Sequence, residues 1–169
     1  MIRPILRYGD PILQSAAMPV SEITSDVQHL IDDMIHTMYA APGIGLAAPQ
    51  VGIPLRIFVA DISGGHNQDD LLVFINPELV AIDGTQREDE GCLSLPGFTS
   101  TIARPARALV KGLDREGREQ VVDGTGLLAR CFLHELDHLD GTLFVDRLRG
   151  LKKNLIVRKI KKLSRTGQW

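Results

Sequence analysis

One pentapeptide constrains this chain more than any other stretch: His134-Glu135-Leu136-Asp137-His138, inside TGLLARCFLHELDHLDG at 125–141. On a helix, residues four apart share one face about one turn apart, so both imidazoles reach a single metal ion. The glutamate then sits beside the ion without ligating it, placed to handle the protons of its water. Helical phase, at about 100° per residue, adds to this. Leu127, Leu128, Cys131, Phe132, Leu136 and Leu139 fill one broad arc, with Glu135 near its middle and His134 and His138 at one edge. Arg130, Asp137 and Asp140 are expected on the opposite, solvent side, with Leu133 an apolar exception among them. A lone Glu on an apolar face is costly to bury unless something pairs with it. A nearby metal supplies that compensation. The bland alternative is a buried helix whose histidines are satisfied by core hydrogen bonds.

A chain of 169 residues, 44% hydrophobic, suits one globular domain over 1–169 with a sizeable core. No apolar run is long enough to span a bilayer, and MIRPILRYGDPILQ lacks the pattern of a secretory signal. Two distant cysteines then point to a reducing cytoplasm, with free thiols or a metal thiolate. The net charge of −2 hides an asymmetry. Residues 147–169 hold nine Lys/Arg and no acid, leaving ten basic against 21 acidic residues, a balance of −11, in the body. A basic tail on an acidic body suggests contact with nucleic acid or another anionic surface.

Residues 1–24 read as an irregular lead-in with Pro4, Pro11 and Pro19. Ser25 and Gln28 make a capping-box pattern opening a helix. Its stripe is Val27, Leu30, Ile31, Met34, Ile35, Met38 and Tyr39, and Pro42-Gly43 stops it. His29 and His36 fall off the stripe, and His66 lies in the polar loop SGGHNQDD, so all three are expected in solvent. The small residues of GIGLAAPQ at 43–50 let a backbone approach closely, and Gln50 can both donate and accept hydrogen bonds there. From Leu55 to Asp123, LRIFVAD, LLVFIN, PELVAID, ARALVKGLD and REQVVDG read as short strands, with a hairpin turn at 114–117. An N-terminal helix, mostly antiparallel strands, the motif helix and a C-terminal helix give an α+β fold.

A catalytic metal site usually takes three protein ligands, leaving a position for water. Asp137 and Asp140 point away from the histidines. Cys131 shares their face, but lies seven residues from His138, about 10 Å along the helix. Cys92, in EGCLSLPG at 90–97, arrives from a separate turn-rich segment and has no such restriction. An inert buried thiol is the alternative for it.

GIGLAAPQ, EGCLSLPG and HELDHLDG, in this order and at these separations, resemble the peptide deformylases, and the likeness runs along most of the chain. The resemblance implies removal of the formyl group from the N-terminal formylmethionine of nascent proteins, releasing formate. It implies Fe(II) as the native ion, with Zn(II), Ni(II) or Co(II) able to substitute. Cys92, His134 and His138 would be the ligands and Glu135 the general base and acid. Gln50 and the Leu93 N–H would hold the oxyanion, and Gly45 would line the substrate's approach. A soft thiolate suits such ions better than Mg(II) or Ca(II). By helical phase Leu127, Cys131 and the edge of His134, with Ile44, would wall a slot for the methionine side chain.

Three departures stand out. Leu133 replaces a common Gln, Arg130 stands where many members are apolar, and Phe98-Thr99-Ser100 lacks an Arg that some members carry. The tail, 148–169, reads as an amphipathic basic helix with Leu155, Ile156, Ile160 and Leu163 inward. In the resembling family such a helix can dock on the ribosome; a helix simply packed on the domain is the alternative. Two rival functions share the residues. A metalloendopeptidase usually draws its third ligand from downstream, and a ribosome-binding module with a structural metal needs four ligands.

Overall fold

Thr24, in extended conformation, caps the first helix by accepting the Val27 N–H at 3.3 Å. The capping pattern thus starts one residue earlier than Ser25, and the Gln28 amide instead donates to the Arg115 carbonyl. The computed structural model describes residues 1–169. Its elements are α1 (Ser25–Ala40), β1 (Gly45–Ala47), β2 (Ile57–Ala60), β3 (Leu72–Asp83), β4 (Gln86–Gly91), β5 (Thr99–Arg104), β6 (Arg107–Leu113), β7 (Glu119–Thr125), α2 (Gly126–Leu139) and α3 (Leu151–Arg165). Five strands form one sheet in the order β1-β2-β3-β6-β7, and β4-β5 form a separate hairpin. Every ladder is antiparallel, so the α+β architecture is as expected.

Strand alternation sorts the core between the two helices. Ile57, Val59, Val73 and Ile75 face the α1 stripe of Leu30, Ile31, Met34 and Met38. Phe58 and Phe74, one residue out of phase, face Phe132 and Leu136 of α2. The three phenylalanine rings meet with centroids 5.1–6.0 Å apart. Because β2 is covered on both faces, all four of its residues are apolar and buried.

Three readings from the sequence need correcting here. LLVFIN and PELVAID form one strand, β3, whose register slips between Ile75 and Glu78. Asn76 takes φ 52° at that irregularity, and its amide brackets Val20 with bonds of 2.8 and 2.9 Å. Pro77 therefore marks a bulge rather than a break. β4 and β5 were not among the expected strands, since β4 is mostly exposed and charged. Leu155 of α3 is exposed, whereas Ile156 and Ile160 pack on Leu95, Ile102 and Phe144. His29, His36 and His66 are exposed as expected. No helix is long and apolar enough to cross a membrane.

Candidate metal centre

Helix α2 packs across the five-stranded sheet, touching β1 and β2 on one side and β6 and β7 on the other, and its phase buries His134, Glu135 and His138. Cys92 follows β4 directly, in the turn that connects to β5. Its Sγ lies 3.2 Å from His138 Nε2, and single donor atoms of Cys92, His134 and His138 all fall within 4.8 Å of one another. A tetrahedral ion with ordinary Zn–S and Zn–N bonds would set S and N about 3.5 Å apart. The donor set fits a metal, and one thiolate with two imidazoles selects a borderline-soft ion. Cys131 lies outside this set. Burial foremost, with the charges of Glu135 and Glu90, pushes its thiol well above the usual range.

Behind the donors sits a charged layer that the sequence reading missed. Glu90 Oε2 accepts from His134 Nδ1 at 2.9 Å and from Arg104 Nη2 at 2.6 Å. Its Oε1 accepts from Arg104 Nε and Arg130 Nη1, both at 3.1 Å. Asp137 accepts from Arg104 and, with both oxygens, from Arg147. Arg130 and Asp137, expected in solvent, are 4% and 8% exposed, because the β4–β5 hairpin and the segment before α3 cover that side of α2. Only Asp140 remains outside, paired with Arg56. Leu133 is no exception either: it packs on Ala108 and Ala129. By holding Nδ1, Glu90 fixes the His134 ring and leaves Nε2 free for a metal, the usual carboxylate–histidine arrangement. Burial alone would raise the Glu90 pKa, but its bonds to His134 and Arg104 hold it down to about 2. Burial opposes charge on His134 too, yet Cys92 and Glu90 raise its pKa well above normal. Positive charge is therefore favoured at this ring, and a metal ion in place of the proton meets the same demand.

Glu135 is 3% exposed, and its Oε2 has no hydrogen-bond partner, nor does His138 Nδ1. Desolvation, partly offset by His134, pushes the Glu135 carboxyl up to about 7. Gln50 is equally buried. Its Oε1 accepts the Ala47 N–H at 3.0 Å, and its Nε2 faces Ser94 Oγ at 3.1 Å and Cys92 Sγ at 3.7 Å. The Leu93 N–H has no partner within the chain. These groups open into a cleft of about 780 Å³ that Ile44, Gly45, Leu127 and Cys131 also line. Leu127 stands at its mouth, half exposed rather than buried. Arg130 lines it as well, held to Glu90 and to the Ile102 carbonyl.

Comparison with known proteins agrees with this geometry. The family model described as polypeptide deformylase matches residues 2–154. A peptide deformylase of Acidobacterium capsulatum is 47% identical over 169 residues, covering 100% of this chain and 99% of that one. One from Thermodesulfovibrio yellowstonii is 51% identical over 160 residues, covering 95% and 97%. The crystal structure of a peptide deformylase from Legionella pneumophila superposes with a TM-score of 0.92 at 45% identity, covering 99% of this chain and 98% of the other. Alike in sequence over its full length, and in fold, this chain belongs to the peptide deformylase family.

Proposed function

We propose that Cys92, His134 and His138 hold the catalytic ion of a deformylase and that Glu135 carries the protons of the reaction. The family's activity is metal-dependent hydrolysis that removes the N-formyl group from nascent peptides. The observation carrying the assignment is that three donors, rather than four, converge beside a buried carboxylate with an unpartnered oxygen. A bound ion supplies Lewis acidity, acidifying a water and polarising the formyl carbonyl. Glu135 takes a proton from the attacking water and delivers it to the departing amine. A cation held by the neighbouring donors would favour the carboxylate form of Glu135, the form that accepts that first proton. Gln50 Nε2 and the Leu93 N–H face the developing oxyanion, and one such donor is worth about 2.7–4 kcal/mol of barrier. Ile44, Leu127 and Cys131 form the apolar slot for methionine. At Gly45 an added Cβ would meet Glu135 Oε1 at 2.8 Å, so hydrogen there keeps the base in place.

The native ion in this reading is Fe(II), with Zn(II), Ni(II) or Co(II) as substitutes, since the thiolate–imidazole set accepts all four. We place the enzyme in the cytoplasm as a single domain, 1–169, whose basic C-terminal segment, 148–169, helical over Leu151–Arg165, contacts the ribosome. Lys152, Arg158, Lys159, Lys161 and Lys162 are all exposed on it, which supports a phosphate-facing role. The deciding experiment is formate release from a formyl-Met peptide by wild type and Glu135→Gln. Loss of about 10²–10⁴ in rate, with the metal retained, is expected. Wild-type turnover in the variant would remove Glu135 from the mechanism.

A further inference from the structure

Trp169 does not line the cleft, yet it is tied to its edge. Its ring packs edge-to-face on Phe98, with centroids 5.8 Å apart at 72°. Phe98 lines the cleft and is half-buried, between the exposed residues Gly97 and Thr99. It therefore belongs to the solvent-facing rim, whereas Gln50, His134 and Glu135 form the buried floor. Trp169 is itself fixed. Its Nε1 donates to the Tyr8 carbonyl at 2.8 Å, and the Arg7 guanidinium lies 5.6 Å from the ring centroid. That same lead-in segment is bonded to the floor: the Tyr8 N–H donates to the Ser94 carbonyl, and the Leu6 N–H to that of Gln50. Phe98 follows a Pro96-Gly97 turn in which Gly97 takes φ 85°, and its own N–H reaches only back to Leu95. The turn does little to orient the ring, which rests on the apolar cluster around Leu95 and Ile102 and, edge-to-face, on Trp169.

We propose that Trp169 is a positioning residue that holds Phe98 as the rim against which substrate residues downstream of the formylmethionine lie. This rests on the deformylase reading above. A cleft of about 780 Å³ has room for more than the cap, and the chain beyond the cap must leave past the rim. Because the cap itself binds at the floor, loss of Trp169 affects long substrates and spares short ones.

Formate release is measured for metal-loaded wild type, Trp169→Ala and Trp169→Phe, on formyl-Met-Ala and formyl-Met-Ala-Ala-Ala. Trp169→Ala is expected to raise KM for the longer peptide roughly three- to tenfold, the range of one aromatic pair. Its kcat and its KM for the shorter peptide stay at wild type, and Trp169→Phe recovers most of the loss. Equal losses on both peptides, or none on either, overturn the proposal. Trp169 is also the only tryptophan, so its emission reports the rim directly. In the Glu135→Gln protein the longer peptide is expected to shift that emission and the shorter one is not; an unmoved signal counts against the rim contact. A wild type inactive on both peptides would instead overturn the functional reading on which this one rests.

Discussion

Replacing Glu90 with Gln keeps the shape of the side chain and removes its charge, which tests whether the buried layer behind the metal donors matters. In the native protein this carboxylate takes four hydrogen bonds, two from Arg104 and one each from Arg130 and His134. An amide offers one acceptor oxygen and turns its NH2 against a guanidinium. Removing one partner from a buried ion pair costs about 3–5 kcal/mol. Arg104 keeps Asp137, so the loss falls near the lower end, about 3 kcal/mol. For a chain of this length that lowers Tm by roughly 6–12 °C. Melting should be measured in excess chelator, so that metal binding does not contribute to the apparent stability. The variant should also release its metal more readily, by roughly 10–100-fold in affinity, because His134 loses the partner that orients it. Competition with a chromogenic chelator reads this directly. A Glu90→Gln protein that melts within 2 °C of wild type and holds metal equally well would refute the role given to this layer.

Gly45→Ala should fold with a modest loss, about 1 kcal/mol, because the atoms its Cβ meets at 2.8 and 2.9 Å are the tips of Glu135 and Cys131. If Glu135 is the base as proposed, displacing it by even 1 Å should lower kcat about 100-fold, and unchanged kcat would detach Gly45 from the site. Tyr39 donates to Asp61 at 2.5 Å, and burial followed by this bond pushes the phenol up to about 12. A raised folded-state pKa stabilises below the unfolded value, near 10, and the benefit disappears as pH climbs from 10 to 12. Urea titrations should show wild type losing part of its stability over that window and Tyr39→Phe losing less. Parallel curves would dismiss the pair. Neutralising Lys152, Arg158, Lys159 and Lys162 together should weaken ribosome pelleting and flatten its salt dependence. This is a cleaner test than deleting 148–169, because Ile156 and Ile160 belong to the core.

The parts of the fold legible in the sequence were those governed by a single period. The α1 stripe and the phase of α2 placed Met34, Phe132, Glu135 and both histidines correctly, since one buried face selects apolar residues at helical spacing. Arg130 and Asp137 defeated the same rule. They are charged and buried, and their partners Glu90, Arg104 and Arg147 lie 10 to 40 residues away along the chain. Periodicity carries no information about such pairings. β4 was missed for a related reason: in QREDEG only Glu90 is buried, so no alternation of apolar residues announces a strand. The one available signal was the surplus of acids just before Cys92 facing Arg104 across the following turn. β1, at three residues, is too short to show a period.

On the proposed reading, Cys92, His134 and His138 hold an ion on which formate release depends. Metal analysis of anaerobically purified wild type and Cys92→Ala, paired with formate release from a formyl-Met peptide, tests it most directly. About one transition-metal ion per active wild-type chain is expected, with metal and activity lost together in the variant. Fully active protein carrying almost no metal, or a Cys92→Ala protein that keeps both, would contradict the account.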